Sequence, residues 1–170
     1  MTNLFDEMLT LKKLPRAGWL RAGIKDPESV AAHSWGVCWL TLALCPEDID
    51  QGHALRLAVI HDSAEVRVGD ITPYDGVSRT EKALRETTAA ADMFQSRPDL
   101  IALLDEYQAQ ETPAARFVHQ LDRLDMAFQA LRYARDTGVN TAEFVQSARK
   151  AIHHPALLKA LDDAERSQGA

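Results

Sequence analysis

Apolar residues recur at spacings of three and four along nearly the whole chain, and the strict alternation that marks a half-exposed strand is hard to find. The pattern predicts an all-α protein. A first helix from about Asn3 to Leu14 carries Leu4, Phe5, Met8 and Leu9 on one side and stops at Pro15. A loop with Gly18, Trp19 and Gly23 follows. Asp26-Pro27-Glu28 then offers a capping side chain, a first-turn proline and an acid at the positive end of a helix dipole, which predicts a second helix to about Leu44. A third is expected from near Asp50 to Gly69, and its centre, ALRLAVIHDSAEV, is apolar enough to lie in the middle of the molecule. After the turn-rich GDITPYDG, Ser78 and Glu81 form a capping box that opens a fourth helix to about Ser96. Pro98 opens a shorter one. Thr112-Pro113 starts a long helix in which Phe117, Leu121, Leu124, Phe128 and Leu131 repeat at +4 and +3, a stripe that must face other helices, and Gly138 ends it. Two short helices, about Thr141 to Ile152 and Pro155 to Ser167, bring the expected number to about seven or eight.

No linker, repeat or charge block divides the 170 residues, so a single domain over residues 1–170 is expected. A chain of this length buries about 70% of its unfolded surface and needs no disulfide to build a core. The longest apolar stretch, Val37 to Cys45 with Thr41 tolerated, is about half of a bilayer crossing, so no membrane span is expected. The start, MTNLFDEMLTLKK, is acidic where an export leader would be basic, and the cytoplasm is the expected compartment. Cys38 and Cys45, about 10 Å apart along one helix, read as free thiols. A formal charge of -6 argues against a sequence-independent grip on a nucleic-acid polymer but leaves room for a small phosphorylated substrate in a locally basic pocket.

The informative residues lie in the third helix. His61 and Asp62 sit in an apolar environment, and Glu65 and Asp70 follow. Buried polar groups without partners cost several kcal/mol, so such a cluster needs either internal partners or a ligand. Adjacent helical positions point about 100° apart, which lets His61 and Asp62 reach one ion beside the helix. Taken alone, the pair is equally a core histidine with a solvated acid. Two more ligand types stand on other helices: His33, among small and apolar residues, and Asp122, beside the stripe of the long helix. Asp125 lies three residues on from Asp122 and His119 three before it, all on one side, and periodicity does not separate the two aspartates. Lys12, Lys13, Arg16 and Arg21 gather before the second helix as candidate anion contacts.

Together, His33, His61, Asp62 and Asp122 resemble the H…HD…D signature of the HD-domain metal-dependent phosphohydrolases, an all-helical superfamily. LKKLPRAGWL, PESVAAHSW, LAVIHDSAEVRVGDITP and FVHQLDRLDM follow the order and spacing of its 5'-deoxynucleotidase branch, over residues 5 to 135. The resemblance implies a compact helical HD-domain bundle that removes phosphate from deoxyribonucleoside 5'-monophosphates. It implies that His33, His61, Asp62 and Asp122 bind one divalent ion (Co²⁺, Mn²⁺, Zn²⁺, Ni²⁺, Fe²⁺ or Mg²⁺), and the choice of Asp122 over Asp125 rests on it. Glu65 matches the acid-base residue and Asp70 a substrate residue that accepts the deoxyribose 3'-hydroxyl. Arg16, in the P-R-x-G-W segment, is assigned to the phosphate and Trp19 to the sugar or base pocket. From the residues alone Asp70 is equally a turn former and Trp19 a core residue. A homodimer is also implied, with Trp35 and Trp39 read as core or subunit interface. Two other readings stay open: an HD phosphodiesterase on another nucleotide, for which the chain is short of extra histidines, and a non-catalytic helical metal-binding regulatory domain.

Overall fold

The computed structural model describes residues 2–168. Its helices are α1 (Thr2–Leu9), α2 (Ala17–Arg21), α3 (Val30–Leu44), α4 (Gln51–Ile60), α5 (Glu65–Val68), α6 (Arg79–Met93), α7 (Pro98–Ala109), α8 (Pro113–Thr137), α9 (Ala142–Ala151) and α10 (Pro155–Gln168), with a 3₁₀ turn at Thr10–Lys12. Among the described residues there is no strand, only an isolated antiparallel bridge between Pro15 and Ser29. The all-α expectation holds, and no described helix is long and apolar enough to cross a membrane. Cys38 and Cys45 are free thiols.

The longest helix, α8, is the axis on which α3, α4, α7, α9 and α10 pack. The first part of its stripe is buried as the spacing predicts, with Leu121 and Leu124 fully enclosed and Phe117 nearly so, while Phe128 and Leu131 are partly buried against the core. Ala115, Ala127 and Ala130 on the same helix are also fully buried, and such small residues bring neighbouring helices close. Leu57, Val30, Val37, Ile152, Leu157 and Leu161 complete the core. Local signals set most helix starts. Asp50, Ser78 and Thr112 each accept a hydrogen bond from the N–H three residues on, and Gly138 closes α8 in the left-handed conformation.

Five details differ from the sequence expectation, the first being that the helix expected to reach Leu14 ends at Leu9 and passes into the 3₁₀ turn. The loop around Trp19 contains the short helix α2. Asp26-Pro27-Glu28 does not open α3; Ser29 does, accepting from Ala32 N–H. The reason is tertiary: the chain around Ser29 is held extended against the segment before α2 by Arg16 N–H to Glu28 O and Val30 N–H to Leu14 O, and the Glu28 N–H donates to the Tyr133 hydroxyl. The third expected helix is broken. α4 ends at Ile60, and residues 61–64 wind more tightly, with Ser63, Glu65, Val66 and Arg67 each donating to the carbonyl three residues back before α5 begins. Finally, Trp35 and Trp39 are not core: they are 69% and 57% exposed.

Candidate metal centre and active site

The break after Ile60 puts His61, Asp62 and Glu65 on a tight turn instead of a straight helix, and this turn faces the middle of α3 and the first half of α8. His33, from α3, and His61 are fully buried imidazoles whose rings meet edge to face at 5.5 Å. Each has one nitrogen already used. His33 Nδ1 donates to Asp125 Oδ2 at 2.7 Å, and His61 Nδ1 donates to the carbonyl of Ala58 at 2.8 Å. Their Nε2 atoms are buried and have no hydrogen-bond partner. In a neutral imidazole, donation at Nδ1 leaves only a lone pair at Nε2.

Those lone pairs face carboxylates. His33 Nε2 is 3.2 Å from Asp122 Oδ1 and 3.7 Å from Asp62 Oδ2, and His61 Nε2 is 3.2 Å from Asp62 Oδ2, without the alignment of hydrogen bonds. Acceptor facing acceptor at this range is repulsive, so a proton or a cation belongs between them. Ligand atoms that share one ion at about 2.0–2.2 Å lie roughly 3.0–3.6 Å apart. Two of the three spacings fall in that range and the third, 3.7 Å, just beyond it, and the ligand atoms of His33, His61 and Asp62 all fall within 4.8 Å of one another. Two imidazoles and one carboxylate already form a mixed nitrogen–oxygen donor set that suits divalent first-row metals, and Asp122 Oδ1 lies 3.2 Å from one of the imidazoles. The residues present therefore fit a divalent ion, with Asp122 facing the centre and Asp125 behind His33.

The charges around this centre are tuned by burial and by one another. Burial and the Arg16 charge pull the His33 imidazole down, but Asp122 and Asp125 outweigh them and push it up to about 10. Despite burial, Asp62 is held below the usual carboxylate range by His61, Arg16 and His33, and Asp122 well below it by Arg123, His33 and His61. Glu65 moves the other way: burial and the nearby Asp62 and Asp70 charges raise it well above the usual range, offset only in part by Arg16 and Lys82. Its Oε2 is buried without a partner, while Oε1 lies 3.9 Å from Lys82 Nζ.

Arg16 stands at the N-terminal end of α2 and reaches the same centre, with Nη1 3.1 Å from Asp70 Oδ1 and 3.4 Å from Asp62 Oδ2. Asp70 fixes that approach by also accepting the Ala17 N–H at 2.7 Å. The side chains of Arg16, Asp62, Asp70 and Asp122 keep 10–16% exposure above imidazoles that have almost none, so the cleft has a histidine floor and a charged mouth.

Trp19 lies elsewhere. It is 2% exposed, packs on Tyr133 and Phe144 with ring centroids at 5.3 and 4.3 Å, and donates its indole N–H to Glu28 Oε1. It presents no face to a sugar or base. Lys12 and Lys13 are exposed, and Arg21 pairs with Asp75, so of the four cations before α3 only Arg16 joins the cleft. His119 is half-buried and faces Tyr107, its ring 6.1 Å away. Tyr107 and Lys82 were not legible as site residues: Tyr107 packs on His61 and donates to Asp122 Oδ2 at 3.4 Å, and Lys82 donates to Ile71 O beside Glu65. Only the packing of α6 and α7 brings them here.

The chain belongs to the HD-domain family, whose model matches residues 8–161. Relatives include 5'-deoxynucleotidase HDDC2 of Danio rerio, 36% identical over 90% of this chain and 82% of that one, and 5'-deoxynucleotidase hdd1 of Schizosaccharomyces pombe, 35% identical over 96% and 88%. Among solved structures, the PH0347 protein of Pyrococcus horikoshii is similar with a TM-score of 0.84 and 34% identity over 98% of this chain and 99% of that one.

Proposed function

We propose that this protein is a cytoplasmic, metal-dependent 5'-deoxynucleotidase, a single HD domain over residues 1–170 that releases phosphate from deoxyribonucleoside 5'-monophosphates. The observation that carries the reading is the pair of buried, unpartnered Nε2 atoms of His33 and His61 facing Asp62 and Asp122, with Glu65 and Arg16 at the same centre. Relatives at 35–36% identity over most of the chain carry that activity in their names. His33, His61, Asp62 and Asp122 would hold one ion, of the Co²⁺, Mn²⁺, Zn²⁺, Ni²⁺, Fe²⁺ or Mg²⁺ type. When bound, such an ion supplies Lewis-acid polarisation of a phosphoryl oxygen and makes water more acidic.

The chain's own residues supply the rest. Arg16, whose charge is secured by Asp70 and Asp62, offers a guanidinium to the phosphate oxygens, and a planar fork suits that group better than an ammonium. Asp70, on the far side of Arg16, holds it in register and is assigned to the deoxyribose 3'-hydroxyl. Glu65 retains its proton above the usual carboxylate range, so it is poised to protonate the leaving 5'-oxygen as the phosphorus–oxygen bond breaks, and its carboxylate then accepts a proton from the attacking water. The products are the deoxynucleoside and inorganic phosphate. We extend the proposal to a homodimer. Trp35, Trp39 and Leu42 share one side of α3 and are 69%, 57% and 50% exposed, an apolar stripe that a second copy would cover. Light scattering on the wild type and on Trp39→Glu tests this: a dimer that becomes a monomer is expected, and a wild-type monomer contradicts it.

The activity is tested by phosphate release from deoxy- and ribonucleoside 5'-monophosphates, 3'-monophosphates and cyclic dinucleotides, using metal-stripped protein resupplied with Co²⁺, Mn²⁺ or Mg²⁺. Release confined to the 5'-deoxy set is expected. Release from cyclic dinucleotides alone would transfer the reading to a phosphodiesterase, and silence across the panel with the metal bound would transfer it to a regulatory domain.

A further inference from the structure

Behind the centre, on the side away from the cleft, His33 Nδ1 meets Asp125, and the room for that meeting comes from a glycine. Gly36 lies one turn on from His33, in the body of α3, where glycine is unfavourable relative to alanine unless packing requires it. Packing does require it. A Cβ on residue 36 would come within 2.8 Å of Asp125 Cγ and closer still to its Oδ1. Real Cβ atoms do not approach that closely, and the obstacle is the carboxylate that holds His33. Glu28 also lies near, but its carboxylate accepts from the Trp19 indole, which leaves Asp125 as the acceptor for His33. These three residues do not form a second ion site, because the 2.7 Å between His33 Nδ1 and Asp125 Oδ2 is a hydrogen-bond distance, shorter than two ligands sharing an ion adopt.

We infer that Gly36 and Asp125 form one positioning device for the metal: the missing side chain at 36 admits the Asp125 carboxylate, which fixes the His33 ring and keeps its Nε2 lone pair aimed at the ion. The inference rests on the metal reading above. It makes Asp125 a positioning residue, distinct in function from Asp122 three residues earlier. Partners that orient a metal-bound histidine are typically worth 10- to 100-fold in metal affinity.

The test is calorimetric titration of metal-stripped full-length protein with Co²⁺, on the wild type, Asp125→Ala, Asp125→Asn, Gly36→Ala and the Gly36→Ala/Asp125→Ala double variant, with helicity checked by circular dichroism. Asp125→Ala and Gly36→Ala are each expected to weaken Co²⁺ binding about 10- to 100-fold, with Asp125→Asn in between. The double variant should bind no more weakly than Asp125→Ala, because an alanine at 36 has nothing to collide with once the carboxylate is gone. Wild-type affinity in Asp125→Ala, or a double variant whose loss is the product of the two single losses, would overturn the inference. A purely structural role would lower the melting temperature without moving the Co²⁺ affinity, which also overturns it. A wild type that fails to bind Co²⁺ would overturn the metal reading itself.

Discussion

His33 lies in the body of a fifteen-residue helix and takes its orientation from a carboxylate on another helix, whereas His61 stands just past the last turn of α4 and takes its orientation from the carbonyl of Ala58, three residues back. Both present Nε2 to the same point. The difference teaches how the two halves of the centre are made. The half on the turn at residues 61–65 is local: once the chain leaves α4, a backbone carbonyl sets the His61 ring. The half on α3 and α8 is tertiary: His33 is aimed only if α3 packs close enough to α8 for Asp125 to reach it. Side-chain substitution can remove the second support and cannot remove the first.

The most severe break abolishes both halves alike. His33→Ala and His61→Ala are each expected to lose stoichiometric metal and to drop phosphate release to background; elemental analysis of purified protein beside a phosphate assay checks this. Next comes Glu65→Gln, which leaves the ligands in place and removes the proton. Turnover should fall about 10²- to 10⁴-fold with metal content unchanged, and a variant that loses its metal as well would show that Glu65 belongs to the ligand set. Arg16→Lys keeps the charge and loses the fork. Its KM for a deoxyribonucleoside 5'-monophosphate should rise about 10- to 100-fold with a smaller change in kcat, the range that charged hydrogen bonds to phosphate span.

The smallest effect reads the carboxylate behind His33 by pH. In the metal-free protein the folded His33 keeps its proton up to about 10, while an unfolded histidine releases it near 6.5. The stability from that extra proton affinity is therefore complete below pH 6.5 and disappears as pH rises toward 10. Melting temperatures of metal-stripped protein should fall by several degrees across that window, and by less in Asp125→Ala, which lacks one of the carboxylates that hold the proton. Equal slopes in the two proteins would contradict the assigned role of Asp125.

Much of this was legible in the chain. The caps at Asp50, Ser78 and Thr112, the stripe of α8 and the stop at Gly138 are local signals, and local physics decides them. His33, His61, Asp62 and Asp122 could be named because their spacing resembles a known pattern, not because periodicity isolates them. What stayed hidden depends on tertiary contacts. Asp26-Pro27-Glu28 looks like a helix start, yet Trp19 and Tyr133 claim Glu28 for another task. The helical period runs unbroken through ALRLAVIHDSAEV, so nothing marks the tight turn that re-aims Asp62 and Glu65. Asp122 and Asp125 share a helix side, and only the position of His33 between them gives one to the centre and the other to the back of the ring. Trp19 matched a motif and is a core residue, while Tyr107 and Lys82 matched none and reach the cleft.

The measurement that bears most directly on the central claim is a titration of metal-stripped protein with Co²⁺ while phosphate release from a deoxyribonucleoside 5'-monophosphate is followed. Activity should be absent at the start, rise in proportion to added metal and level off at one ion per chain, with the same end point missing in Asp62→Ala. Phosphate release that is already maximal before metal is added, or that is unchanged in Asp62→Ala, would contradict the assignment of this centre to the reaction.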